Sequence, residues 1–287
     1  MSRVAYVNGR YVPHAHAMVH VEDRGYQFAD GVYEVCEIWH GRLVDMKGHL
    51  DRLERSLREL SIAMPMTRAA LTAVMRETVR RNRVTEGMVY LQITRGVAPR
   101  EHIFPPASTR PAVVITAKTF DRIKADKQAE EGVTVITTPD NRWERVDIKT
   151  VGLLPNAMAK QKAKEAGAKE AWFVDAEGYV TEGSSTTAWI VTQDGALVTR
   201  PNGTGILPGV TRQTVEEVAR RDGLKLEERK FTPEEAKGAR EAFMTAATTL
   251  VMPIVAIDGQ SVANGRPGSI ATALRQRFHE VAQLEAH

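Results

Sequence analysis

Apolar and polar positions alternate over residues 4–7, which predicts a strand, and Asn8-Gly9 behind it is a hairpin-turn pair because both residues tolerate positive φ. A second β-rich run covers residues 32–39 and ends at Gly41. The period then lengthens. From His49 to Ile62 the residues Leu50, Leu53, Leu57 and Leu60 recur at helical spacing, and an amphipathic helix is expected over residues 67–83. Strands are expected at residues 88–94 and 112–117.

Residues 118–132 read KTFDRIKADKQAEEG, a charged run that interrupts this patterning. The junction between two lobes is expected there. Residues 1–120 are read as a small N-terminal α/β domain, 121–132 as the linker and 133–287 as a larger C-terminal α/β domain. In the second part, strands are expected at 133–138, 171–174 and 188–191 and near Phe243 and Ile254. Helices are expected at about 156–166, 210–221, 233–239 and 269–284.

Composition changes this picture little. At 287 residues the chain exceeds one compact core, and 43% hydrophobic with 26% charged residues excludes a disordered chain. Lys and Arg number 39 against 36 acidic residues, with no basic run, so no nucleic-acid partner is expected. The single Cys36 lies in a strand-like run, where a buried thiol is expected and no internal disulfide is possible. No window approaches the roughly 18 apolar residues of a membrane helix, and the opening MSRVAYVNGR has no basic-then-apolar leader pattern. A cytoplasmic protein without a membrane partner is expected, and the sequon at Asn202 then carries no meaning. His14, His16 and His20 lack a Cys or carboxylate partner, so no metal site is expected, and Lys160, Lys162 and Lys164 read as a solvated helix face.

Three segments carry candidate chemistry. In RVDIKTVGLLPN (145–156), Asp147 and Lys149 share a face if the stretch is extended, and a strand-end lysine in a cleft is a nucleophilic amine; an exposed lysine on an edge strand fits the same residues. In VTEGSSTTAW (180–189), Glu182 precedes a glycine and four hydroxyl residues, which suits either a turn or a carboxylate placed beside a heteroaromatic nitrogen. In ILPGVTR (206–212), a glycine turn runs into the helix beginning at Val210, and the N–H groups of such a helix start form an anion site.

In this order and spacing, residues 182–212 resemble the signature of the class IV (fold-type-IV) aminotransferases: an acid, a small-residue cluster, an aromatic strand, Leu197-Val198-Thr199, then LPGVTR. Two positions depart from it: Thr187 stands where asparagine is usual, and Trp189 where Phe or Tyr is usual. EDRGYQFADGVYEV (22–35), HLDRL (49–53), TRGVAPREHIFP (94–105) and RVDIKTVGLLPN extend the resemblance over nearly the whole chain, toward the D-amino-acid branch of the family. The resemblance implies an α/β fold of α+β type with two lobes and pyridoxal 5'-phosphate between them. It makes Lys149 the Schiff-base and proton-shuttling lysine, Glu182 the partner of the pyridine nitrogen and Arg52 a phosphate ligand. Val210 and Thr211 then give phosphate-binding N–H groups, Leu207 lies behind the ring, and Thr248 adds a phosphate contact.

Residue types alone make Arg100 and His102 a pair of donors two positions apart on a loop, either solvated or aimed at one carboxylate. The resemblance implies the second: with Tyr33 they hold the α-carboxylate of a D-amino acid, and the loop comes from the partner subunit of an obligate homodimer. The implied activity is transamination between D-amino acids and 2-oxo acids of the D-alanine or D-glutamate kind. Branched-chain, (R)-amine and aminodeoxychorismate-lyase-type activities share the fold, and the alternative of a different class is a non-catalytic small-molecule or nucleic-acid-binding protein that keeps the fold alone.

Overall fold

The computed structural model describes residues 3–285, which pack as two compact units. Unit 1 holds the described residues up to Asp121, the segment Ile148–Gly152 and the end of the chain from Gln283. Its elements are β1 (Val4–Val7), β2 (Arg10–Pro13), α1 (Arg24–Phe28), β3 (Gly31–Trp39), β4 (Arg42–Val44), α2 (Met46–Glu59), α3 (Arg68–Asn82), β5 (Gly87–Thr94) and β6 (Ala112–Thr119). They form an antiparallel sheet in the order Leu284–Glu285, β4, β3, β5, β6, β1, β2.

Strand alternation sorts this sheet into two faces. Val32, Cys36, Val89, Leu91, Ile93, Val113 and Ile115 turn inward with Leu50, Leu53 and Leu57 of α2 and Leu71, Met75 and Val79 of α3. Tyr33, Val35, Tyr90 and Gln92 lie on the other, half-buried face. Asn8 and Gly9, at φ 46° and 94°, make the expected tight hairpin. Thr67 caps α3 by accepting from the Ala70 N–H, and Arg83 ends the helix in the left-handed region.

Unit 2 holds α4 (Arg122–Glu131), β7 (Val133–Pro139), α5 (Leu154–Glu165), β8 (Glu170–Val174), β9 (Val180–Gly183), β10 (Thr187–Val191), β11 (Leu197–Thr199), α6 (Val210–Arg221), β12 (Leu226–Glu228), α7 (Pro233–Lys237), β13 (Glu241–Ala246), β14 (Leu250–Ile257), β15 (Gln260–Ser261) and α8 (Ser269–Val281). Its mixed sheet runs β12, β11, β10, β13, β14, β7, β8, β9, with β15 on β14. Chain connectivity dictates the shape of this sheet. β9 is last in the order and β10 third, roughly 24 Å apart in a flat sheet, yet the chain joining them spans at most about 14 Å. The sheet must curl on itself, and Val135, Trp172, Val180, Ile190, Val198, Phe231, Met244 and Ile254 fill its interior.

The expected division of the chain differs in two ways. The polar run read as a linker contains α4, which buries only Ala129 and so has almost no hydrophobic periodicity to reveal it. Ile148–Gly152, expected in the second domain, belongs to unit 1 because it pairs with β3: the Tyr33 N–H donates to the Lys149 carbonyl (3.0 Å) and the Val151 N–H to Gly31 (3.1 Å). Ile148 joins the first core. Lys149 therefore sits beside a single bridge at Thr150, not at the end of a strand, and Asp147 lies in a turn where its carboxylate accepts from Arg145. Among the described residues no helix is long and apolar enough to cross a membrane.

Candidate active site

In unit 1, β3 carries Tyr33 and Glu34 on opposite faces, so neighbouring residues serve different groups. The Lys149 Nζ lies 3.3 Å from the Tyr33 hydroxyl and 4.3 Å from the centroid of its ring. The Lys149 N–H donates to Ser56 Oγ at 3.4 Å, and Tyr33 stacks on Tyr90 at 5.7 Å. Burial, with the Tyr33 phenol beside it, pushes the Tyr90 hydroxyl up to about 12. Tyr90 is thus a neutral donor, bonded to Gln92 Oε1 at 2.8 Å.

On the core face, Glu34 accepts two bonds from Arg52, Nε to Oε1 at 2.7 Å and Nη2 to Oε2 at 2.8 Å, and meets His49 Nδ1 at 2.8 Å. Burial alone raises a carboxyl pKa, but the charge and hydrogen bonds of Arg52, joined by His49, outweigh it and hold Glu34 down to about 2. Burial pushes Arg52 the other way, and Glu34 overrides that, so Arg52 stays above its ordinary value.

Arg100 and His102 are exposed, and they meet on one side chain. The Arg100 guanidinium lies 5.2 Å from the Phe28 ring centroid, and the His102 ring is 5.6 Å from the same ring.

In unit 2, Glu182 is buried near the end of β9. Its Oε1 pairs with Arg142 Nη1, and its Oε2 accepts from the Leu207 N–H at 3.1 Å. Arg142 is fixed in turn by Asp140, at 2.9 and 2.7 Å, and by the Thr181 hydroxyl at 3.2 Å. Burial lowers the Arg142 pKa, yet Asp140 and Glu182 together keep it raised. Val210 and Thr211 open α6, where Gly209 occupies the N-cap and no side chain caps the helix. A Cβ on Gly209 would sit 3.0 Å from Thr187 Oγ1, so the backbone runs close against β10. Arg212, in the same motif, turns inward to Glu216, Glu228 and the Arg200 carbonyl. Thr248 lies in the turn between β13 and β14, ahead of Leu250 at φ 54°. Trp189, one of the two departures, donates from its indole to Thr245 Oγ1 at 3.0 Å and stacks on Phe243.

Sequence reasoning assigned no role to Glu34, His49, Asp140 or Arg142. Glu34 and His49 stand inside the quoted segments, but their link to Arg52 needs the β3–α2 packing. The Asp140-x-Arg142 spacing was readable as a local pair, while its closure onto Glu182 was not.

In kind, these donors suit pyridoxal phosphate. Lys149 offers an amine for an aldehyde, Arg52 and the uncapped start of α6 offer cationic and N–H groups for a phosphate, and Glu182 offers a buried carboxylate for a ring nitrogen. The profile of the family described as amino-transferase class IV matches residues 31–257. A D-alanine aminotransferase of Bacillus licheniformis is 41% identical over 272 residues, covering 93% of this chain and 94% of that one. One from Staphylococcus epidermidis is 38% identical, covering 97% of each. Among solved structures, a T.th. branched-chain amino acid aminotransferase with pyridoxamine 5'-phosphate has a TM-score of 0.89 at 26% identity, covering 98% of this chain and 94% of that one. The chain belongs to the class IV aminotransferases, a family of pyridoxal-phosphate-dependent enzymes.

Proposed function

We propose that this aminotransferase moves the amino group between D-amino acids and 2-oxo acids, with D-alanine or D-glutamate as donor. The observation that carries the proposal is that Arg100 and His102 both lie against the Phe28 ring, 5.2 and 5.6 Å from its centroid, so one aromatic side chain anchors two residues able to donate to a carboxylate. Likeness to D-alanine aminotransferases over nearly the full chain supports it. Likeness in fold to branched-chain enzymes favours the second reading, an activity on branched-chain amino acids.

When bound, pyridoxal phosphate supplies an electron sink for the substrate carbon. The protein does the rest. Lys149 would hold the cofactor through its amine and, once freed from it by the substrate's amino group, would carry the α-proton, one positioned base serving both transfers. Glu182 would keep a proton on the ring nitrogen, Arg52 with the Val210 and Thr211 N–H groups and Thr248 would hold the phosphate, and Leu207 would lie behind the ring. Tyr33, Arg100 and His102 orient the α-carboxylate. The exposed apolar side chains Met18, Val21, Tyr26, Ile103 and Phe104 support a homodimer in which the Arg100–His102 loop serves the partner's site. A cytoplasmic location completes the reading, supported by the lone buried Cys36.

The test is formation of D-glutamate from D-alanine and 2-oxoglutarate, with L-leucine as the competing donor. Lys149→Ala and Lys149→Arg should both lose turnover and the visible absorbance of bound cofactor, since neither side chain replaces a primary amine. Full activity in either variant, or a preference for L-leucine, overturns the proposal.

A further inference from the structure

Residues 95–111 between β5 and β6 contain no helix or strand, yet Arg100 and His102 must keep fixed positions if they grip a carboxylate. The group that holds them lies outside the loop. Arg24, the first residue of α1, is only 3% exposed. Its Nε donates to Asp30 Oδ2 at 2.8 Å and its Nη1 to the Glu101 carbonyl, the carbonyl between the two donors, at 2.6 Å. Its guanidinium lies 4.6 Å from the centroid of Phe28, the ring that Arg100 and His102 also touch.

The mount for Arg24 is rigid. Asp23 caps α1 by accepting from the Gly25 N–H at 2.9 Å and takes the Thr94 hydroxyl at 2.9 Å, while the Arg24 N–H donates to Gly96 at 2.9 Å. A Cβ on Gly25 would meet Thr94 Cγ2 at 2.3 Å, so α1 lies flush against the end of β5. Asp30 also takes Arg95 Nε at 2.7 Å, and that guanidinium bonds the Leu60 and Ser61 carbonyls. The lattice of bonds therefore runs from α1 and the end of α2 to the backbone between Arg100 and His102.

We infer that Arg24 is a positioning residue for substrate recognition, fixing the Arg100–His102 loop through the Glu101 carbonyl and the Phe28 ring. It touches no substrate itself. An arginine is needed because one planar fork must reach Asp30 and Glu101 at once while its face lies on Phe28. The inference rests on the reading of Arg100 and His102 as the carboxylate grip.

The experiment measures KM and kcat for D-alanine in the holoenzyme for Arg24→Gln, Arg100→Ala and the double variant, with cofactor absorbance and melting temperature alongside. Arg24→Gln should raise KM about tenfold or more, the scale of one charge-assisted hydrogen bond. It should change kcat by less than about threefold and leave cofactor absorbance in place. On the Arg100→Ala background it should add less than about twofold, because the two residues act as one unit. An equal rise in KM on both backgrounds, or a loss confined to kcat or to cofactor absorbance, overturns the inference while Arg100→Ala still supports the carboxylate grip. If Arg100→Ala leaves KM unchanged, the grip itself fails and the inference falls with it. Should Arg24→Gln not fold, Arg24→Lys keeps the charge against Asp30, gives up the fork and is judged by the same criteria.

Discussion

At the scale of single residues, the ion pair of Glu34 with Arg52 ties stability to the residue proposed to hold the phosphate. Both are buried, so removing one charge leaves the other without its partner in a dry interior, at a cost of about 3–5 kcal/mol. Glu34 ordinarily titrates at 4.5 and is held at about 2, so its contribution is complete above the first value and disappears as pH falls toward the second. That difference is worth about 3 kcal/mol. Denaturation of wild type and Glu34→Gln from pH 6 to pH 2 should show the stability gap closing below about 4.5. A gap that stays constant to pH 2 would mean that Glu34 is not the titrating partner. A second prediction concerns Glu182→Gln, which should keep the cofactor bound and slow turnover by orders of magnitude, because an amide cannot hold the ring nitrogen protonated. Stopped-flow half-reactions check it, and rates within about twofold of wild type would remove Glu182 from that role. The sequence drew attention to Arg52 through HLDRL, but its pairing with Glu34 depends on the packing of α2 against β3. It left Arg142 unassigned because its contact with Glu182 joins positions 40 apart.

Secondary-structure elements were legible where a long apolar face runs uninterrupted. α6 spans Val210–Arg221 as the pattern predicts, and α3 is bounded by Thr67 and Arg83, the ends of its expected span. Short strands such as β4 and β12, of three residues each, carry too little periodicity to be read. The pairing of residues 148–152 with β3 depends on a contact more than a hundred residues away in sequence. The curl of the second sheet is held at a spot that the sequence only hints at in its hydroxyl cluster. Glu170, wholly buried on β8, accepts from Ser184 Oγ, from Ser185 Oγ at 2.8 Å and from Thr186 Oγ1 at 3.5 Å, with Lys160 Nζ at 3.0 Å. It also takes the Ala171 N–H at 2.9 Å. One carboxylate thus ties the turn that follows Glu182 to the neighbouring strand. Glu170→Ala strands the buried hydroxyl and N–H donors without an acceptor while the half-exposed Lys160 returns to solvent, and a loss of about 2–4 kcal/mol is expected, roughly 4–10 °C in melting temperature. A melting curve that matches wild type would show that the turn is held by its backbone alone, for instance by the Gly183 N–H donating to Thr186 at 2.7 Å.

For the whole molecule, the proposed homodimer raises the question of which chain would complete which site. Residues 18–26 and 97–104 run side by side, joined by the Asp23–Val97 bridge and the Ala98 N–H to Glu22 carbonyl bond. Together they expose Met18 (79%), Val21 (71%), Tyr26 (75%) and Ile103 (76%), flanking the same loop that carries Arg100 and His102. Exposed apolar side chains on two neighbouring segments are the mark of a surface that another chain covers, and a twofold dimer is the commonest closed arrangement. If the loop serves the partner's site, a chain lacking Lys149 and a chain lacking Arg100 carry complementary defects. Lys149→Ala and Arg100→Ala should each be weak or inactive alone. Unfolded together and refolded as a mixture, they should regain about a quarter of wild-type activity, because random pairing makes half of the dimers mixed and each mixed dimer has one whole site. A loop acting within its own chain predicts no recovery at any mixing ratio, since every site would then lack one residue or the other. Capture of the untagged variant through an affinity tag on the other confirms that mixed dimers have formed, so absence of recovery in their presence would place Arg100 and Lys149 of one chain in one site.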